Sequence, residues 1–467
     1  MTKPHARGPE LKPRAPKTGK AAAPAAASHQ ISLPKPRPEK RDSRRDTRVE
    51  DSRGGSGRPG LGAIVNRRAA DRLRGGHLWV YASDVESIAL PEAGAEATPA
   101  LLRVADSRGL LLGTALYSPM SQIALRLVSR KAIDEAGWLE LLAQRLRRAV
   151  ERRKPLLDGE NDACRLCFSE ADELPGVIVD KYGPLVILQL LAKGLDSAAV
   201  RETCVGVLRE EMAPAAIVER PDPRVRELEG LSAPSQEPLW VAGANAALST
   251  QFRLNGLLFH YDANAGQKTG AFLDQHANYA AARDWARRLS AGGRALDVCC
   301  YQGGFALHLA QVCRRVTGID SSRASLEVAE RNLEANRGGL TAEVDWVEGD
   351  AFAILRDWSE TGERFDAIVL DPPAFAKTRR AVAGAVRGYK EMNLRALRMV
   401  RPGGLLVTCS CSHHVGWAEL EAAVAAAAAD ASRRVRLLER RGAAPDHPVV
   451  LNLPETEYLK CLVLEVE

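Results

Sequence analysis

From Gly293 onward the chain alternates short apolar strands with helices, and four successive strands each lead into an aspartate. RALDVC, RRVTGID, AEVDWVE, FDAIVLD and GGLLVTCS read as strands, and 303–313, 322–336, 385–400 and 417–431 read as helices. Alternation of this kind builds a doubly wound, Rossmann-like parallel sheet. Ligands in such sheets bind beyond the carboxyl ends of the strands. The chemistry-bearing residues of this region fall at those ends.

The first strand runs into Asp297-Val298-Cys299-Cys300-Tyr301-Gln302-Gly303-Gly304. A dinucleotide site would need G-x-G-x-x-G here, to bring backbone amides to a pyrophosphate. That spacing is absent and an acid stands in its place. An acid suits a ligand with a cationic amino group, a sulfonium and no phosphate, while the paired glycines let the backbone pass close to it. Asp320, followed by Ser321, lies 17 residues beyond Gly303. This is near the offset of a ribose-binding acid. Asp350-Ala351 closes the third strand and offers a carboxylate to an adenine amino group, or only a helix N-cap. Asp371-Pro372-Pro373 closes the fourth. Four acids in this order point to S-adenosylmethionine, with Asp297, Tyr301, Gln302, Gly303, Asp320, Ser321, Asp350, Ala351 and Asp371 as candidate contacts.

After the fifth strand comes Thr408-Cys409-Ser410-Cys411-Ser412. Cytosine C5 is too weak a nucleophile to take a methyl group unaided. A thiolate that adds at C6 turns the ring into an enamine and makes C5 reactive. Cys411, past the strand end, is the candidate nucleophile, and Asp371 on the neighbouring strand end is the candidate partner for N3. Cys409 lies within the strand and is expected to be packing.

The preceding segments are of a different kind. Residues 1–60 carry a net +9 and the other 407 residues a net −3, so the overall +6 belongs to the N-terminal segment. That basic, Pro- and Ala-rich tail is expected to be disordered, either a solvated tail or an electrostatic arm for RNA. Residues 61–131 read as a small β-rich domain with a short helix whose Arg67 and Arg68 are candidate RNA contacts. Residues 132–255 read as an α+β middle domain that opens with one amphipathic helix over 132–155. The last domain is placed at 256–467. No run of 18 uncharged apolar residues suggests a membrane span, and no secretory signal is seen. Nine cysteines, odd in number and unevenly spaced, fit a reducing cytoplasm better than a disulfide framework.

Longer motifs carry a family resemblance over residues 61–467. They include GGHLWVYASDVE, SEADELPGVIVDKYG, GQKTGAFLDQ, DPPAFAK, RGYKEMNLRAL, RPGGLLVTCSCS, DHPV and YLKC. In these the chain resembles the RlmI-type bacterial 23S ribosomal RNA cytosine-C5 methyltransferases. The resemblance implies a PUA-like RNA-binding domain, a middle domain and a class I methyltransferase domain. It also implies Cys411 as nucleophile and 23S RNA or an assembling large subunit as partner. It makes Lys268, Thr269 and Gly270 candidate lip residues of the cofactor site, and gives Asp274 a role in ordering the entrance. This chain has Gln302 where the family usually has Thr and His276 where it usually has Arg.

Arg387, Tyr389 and Lys390 follow the Asp-Pro-Pro loop and would suit a flipped base and its phosphates, or merely begin a solvated helix. His413 and His414 could supply a base or sit on a polar loop. Cys164-x-x-Cys167 has no further ligands at zinc spacing, so it is read as structural and no metal is expected. Trp358 and Trp417 are read as packing. Two other functions share these features: guanine N-methylation, which needs no cysteine, and a non-catalytic ribosome-assembly factor. The sequence does not choose between a monomer and a homodimer.

Overall fold

The computed structural model describes residues 62–90, 100–233, 235–243, 247–264, 271–376 and 378–467. The expected 1–60 tail and the lip residues Lys268, Thr269 and Gly270 lie outside them.

Residues 62–129 form a six-stranded, largely antiparallel sheet. The helix Arg67–Arg74 covers it through Ala69, Ala70 and Leu73, all fully buried. The Asn66 side chain caps that helix by accepting from Ala69 N at 2.9 Å. A five-stranded sheet follows between Ala163 and Val241. Helices Glu135–Arg153 and Ala198–Met212 bury Leu142, Leu146, Val200 and Leu208 in its core. Cys164 and Cys167 belong to that core, on the strand Ala163–Phe168, and burial pushes both thiols up.

The division expected at 255/256 falls in the two-residue turn of a hairpin, Ser249–Leu254 paired with Leu257–Asp262. Asn255 and Gly256 both have positive φ, as a tight hairpin turn between twisted strands requires. A boundary there would separate a hydrogen-bonded pair of strands, so the hairpin has to be assigned whole. Its Phe252 and Phe259 pack in one cluster with Tyr182 of the middle sheet and Leu307 of the last domain.

The last sheet has seven strands: β1 (Arg294–Val298), β2 (Arg315–Asp320), β3 (Glu343–Glu348), β4 (Phe365–Leu370), β5 (Val400–Ser410), β6 (Val435–Arg441) and β7 (Lys460–Val466). Their order is β3-β2-β1-β4-β5-β7-β6, parallel except that β7 runs against both β5 and β6. Helices α1 (His276–Leu289) and α2 (Gly304–Ala310) pack on one face. Helices α4 (Ala351–Thr361), α5 (Val382–Met399) and α6 (Trp417–Asp430) pack on the other. Between β2 and β3 runs α3 (Arg323–Asn336). With both faces covered, the central strands are apolar almost throughout, as in Ala367–Leu370 and Leu405–Val407. The order reverses between β1 and β4, which opens a crevice at their carboxyl ends. Among the described residues no helix is long and apolar enough to cross a membrane.

Candidate active site

At the end of β1 the backbone doubles back sharply. Cys299, Tyr301 and Gly303 have φ of 63°, 51° and 84°, a left-handed conformation that is costly for the first two. The turn is held by Cys300 N donating to Ile319 O at 2.9 Å and Tyr301 N donating to Asp320 Oδ2 at 2.9 Å. Gly304 sits under the Tyr279 ring, where a Cβ would lie 2.5 Å from Cζ.

Asp297 lies fully buried below this turn. Its Oδ2 accepts from Ala306 N at 2.8 Å, while Oδ1 has no hydrogen-bond partner among the described residues. Burial drives its carboxyl well above the usual range, and the nearby Asp371 and Asp320 push it further. A buried acid with an empty acceptor is what a cationic amino group would satisfy. Asp320 also accepts from Ser322 N at 2.8 Å, so it orders the loops on both sides while its remaining lone pairs stay available. These acceptors suit S-adenosylmethionine, whose amino group Asp297 would hold and whose ribose Asp320 would hold.

Other expected contacts are placed differently. Asp350 is exposed and caps α4, its Oδ1 accepting from Ala353 N at 2.8 Å. Gln302 donates from its side-chain amide to the Tyr301 hydroxyl at 3.2 Å, and its main-chain oxygen accepts from Asn332 Nδ2 at 3.0 Å. Ser321 is exposed and Ala351 half-buried beside that cap.

Cys411 follows the last residue of β5 and is half-buried. Its Sγ lies 3.8 Å from Pro372 O, in the loop that leaves β4. Next to Pro372, Asp371 is half-buried and accepts from Gln275 Nε2 at 2.9 Å through Oδ1. Burial and the charge of Asp274 push the Asp371 carboxyl up to about 7. Cys409 has a different setting. It is fully buried opposite Cys461 of β7, whose thiol, together with burial, drives the Cys409 thiol far up.

Ser410 and Ser412, on either side of Cys411, are clamped by one phenol. The Tyr389 hydroxyl lies 2.9 Å from Ser410 Oγ and 3.0 Å from Ser412 Oγ, and Ala376 N donates to Ser412 Oγ at 3.2 Å. Tyr389 is 1% exposed, which corrects its expected place as a base-stacking residue. Its ring packs 4.7 Å from Phe375 and its hydroxyl braces the Cys411 loop. Arg387 is exposed, and Lys390 pairs with Asp430 of α6 at 2.7 Å. Arg67 and Arg68 are exposed on their helix.

Three side chains of the site lie within quoted motifs but had no role assigned from the sequence. Gln275 appears in the sequence only as the end of a longer segment. Lys460, within YLKC, is buried and donates from Nζ to Ser412 O at 2.8 Å. Tyr458, from the same segment, donates its hydroxyl to Asp274. His413 and His414 are exposed on the turn after Cys411. Partial desolvation and the Lys460 ammonium hold His413 below its ordinary range.

The Asp-His-Pro-Val loop ties the site to the middle domain. Asp446 accepts from Arg165 N at 2.8 Å and His447 Nδ1 at 2.9 Å. Its main-chain oxygen accepts from Arg153, which also makes a two-pronged bond to Asp172 at 2.7 and 2.8 Å. A further cavity of about 370 Å³ is lined by Arg130, Arg145, Arg148 and Arg152 together with Glu170, Asp172 and Glu173, of which Glu173 pairs with Arg145 and Asp172 with Arg152.

Residues 63–130 match the PUA-like domain family, and residues 211–463 match the S-adenosylmethionine-dependent methyltransferase family. The chain is 37% identical over 400 residues to ribosomal RNA large subunit methyltransferase I of Pseudoalteromonas translucida, covering 84% of this chain and 96% of that one. It is 35% identical over 386 residues to the protein of the same name in Erwinia tasmaniensis, covering 82% and 94%. A crystal structure reported as a methyltransferase complexed with SAH superposes with a TM-score of 0.71 at 19% identity, over 87% of this chain and all of that one. A SAM-dependent methyltransferase from Streptococcus mutans gives 0.70 at 18%, with the same coverage, and at such identity these two likenesses establish the fold alone. With the strand order, the acid-lined crevice and relatives matched along nearly their whole length, this chain belongs to the S-adenosylmethionine-dependent methyltransferases, in the family of the ribosomal RNA large subunit methyltransferases I.

Proposed function

We propose that this enzyme methylates C5 of a cytosine in 23S ribosomal RNA, as naked RNA or within an assembling large subunit, through a covalent bond between Cys411 and C6. The observation that carries this reading is the half-buried Cys411 thiol at the rim of the crevice, 3.8 Å from Pro372 O and beside the Asp371 loop. Relatives named for the large-subunit RNA support the substrate class. Bound S-adenosylmethionine supplies the methyl group.

The protein's own residues do the rest. Cys411 attacks C6 as a thiolate. Asp371, with a carboxyl near 7, carries a proton through much of the neutral range. Gln275 occupies Oδ1, which leaves Oδ2 to share that proton with cytosine N3 as the ring gains electrons. The Tyr389 clamp fixes the tripeptide that bears the thiol. The arginine-lined cavity and the exposed Arg67, Arg68 and Arg387 are the surfaces we assign to RNA phosphates.

Guanine N-methylation would use the same crevice without a thiol. The two readings separate when 5-methylcytosine is mapped along 23S RNA from cells with the gene, without it, and with Cys411→Ala. The C5 reading expects one cytosine to lose its methyl group in the last two. It fails if Cys411→Ala restores full methylation.

A further inference from the structure

We propose that Lys460 is the positioning residue that keeps Cys411 in its thiolate form, a buried ammonium fixed against the strand end on which the thiol is mounted. The inference rests on Cys411 being the nucleophile.

The antiparallel pairing of β7 with β5 sets Lys460 directly opposite Ser410, one residue before Cys411. From there its side chain reaches past the strand end and donates to Ser412 O at 2.8 Å, one residue after Cys411. The backbone of Lys460 is thereby set beside the residue before the thiol, and its ammonium is fixed on the residue after it. Lys460 is 2% exposed, and a lysine is almost never buried so deeply without a charged partner. Among the described residues no carboxylate forms an ion pair with it. The groups that face it are Cys411 and His413 from the loop after β5, Glu457 from the turn before β7, and Glu419 from α6. Burial lowers its hold on a proton, and of the three groups whose charge supports the ammonium the Cys411 sulfur is the strongest. The interaction is mutual, so the ammonium favours the thiolate. Burial and then the neighbouring carboxylates push the Cys299 and Cys300 thiols up, and Cys461 together with burial does the same to Cys409.

In the reaction the thiol proton leaves to solvent before attack. The Sγ–C6 bond forms as the C5–C6 π pair moves to C5, and that pair takes the methyl group from S-adenosylmethionine, whose S–CH3 bond would break with its electrons staying on sulfur, so that S-adenosylhomocysteine leaves. A solvent base then removes the C5 proton, whose electron pair restores the double bond as Sγ–C6 breaks. The sulfur departs as a thiolate, the form that Lys460 favours.

The test is the pH dependence of alkylation by iodoacetamide in the full-length protein, followed at the Cys411 peptide by mass spectrometry. The wild type is expected to titrate at least a unit below the ordinary thiol value of about 8.5. Lys460→Met should move the midpoint up by a unit or more, a roughly tenfold loss of reactivity at pH 7, and Lys460→Arg should restore most of it. The acidic limb of the methylation rate should move with it. A wild-type midpoint at or above 8.5 overturns the proposal without reference to any variant. So does an unshifted midpoint in a folded Lys460→Met protein. Alkylation needs no RNA, so its outcome is separate from whether Cys411→Ala abolishes methylation.

Discussion

Gln275 donates from Nε2 to Asp371 Oδ1 at 2.9 Å and so joins the start of α1 to the end of β4. Asn278 in turn donates to Gln275 Oε1 at 2.7 Å, which fixes the way the amide faces. The Asp371 carboxyl at the end of β4 is therefore oriented by two residues of one helical segment, with Oδ1 taken by the Gln275 amide.

This arrangement makes stability depend on pH. The Asp371 carboxyl stands at about 7 in the fold against an ordinary 3.8, so the folded state holds the proton longer. Its contribution is full below about 4 and is lost as pH rises through about 7. The cofactor-free protein should lose stability across that window, by at most on the order of 4 kcal/mol. Asp371→Asn should flatten the decline in urea melts taken at pH 5 and pH 8. An unchanged slope would rule the account out.

Asp297→Asn should leave the empty protein as stable as before or more so, because a buried acid with a vacant acceptor is removed. Cofactor binding should weaken at least tenfold, the loss of one charge-assisted hydrogen bond of about 1.5–3 kcal/mol. Isothermal titration with S-adenosylmethionine checks this, and equal affinities would count against Asp297 as the amino-group partner.

Tyr389→Phe removes only the hydroxyl that braces Ser410 and Ser412. The expected result is a loss of about 1–3 kcal/mol in stability and a lower kcat, with RNA affinity unchanged. Weaker RNA binding at full kcat would return Tyr389 to the RNA surface.

Gly304→Ala sets two effects against each other. Alanine favours a helix by about 1 kcal/mol, but its Cβ would meet the Tyr279 ring at 2.5 Å. Overpacking of that kind costs about 1–3 kcal/mol, so the variant should be the less stable one. Thermal melts of Gly304→Ala alone and with Tyr279→Leu should show the penalty shrinking in the pair.

Arg148→Ala and Arg152→Ala together should weaken RNA binding and reduce its log–log salt slope by about 1 for each arginine, with cofactor affinity intact. Filter binding across a salt series measures both. A slope equal to that of the wild type would place the RNA elsewhere.

Much of this protein is determined by sequence alone. The period of apolar residues and the acids at the strand ends specify a doubly wound sheet and its ligand crevice, because strand alternation and helix spacing are local properties. They also separate Cys409, inside β5, from Cys411 beyond it. Tertiary structure decided what depends on contacts between distant segments. Tyr389 looked like an aromatic offered to a base, yet the packing of α5 beneath the β5 end buried it and turned its hydroxyl onto the Cys411 loop. Asp350 kept an oxygen for its own helix. Lys460 and Gln275 lay inside longer motifs that gave them no role and reached the site only through strand pairing and the start of α1, 48 residues beyond Ser412 in one case and 96 before Asp371 in the other. A side chain's charge is written in the sequence; the partner that gives the charge its use is set by the fold.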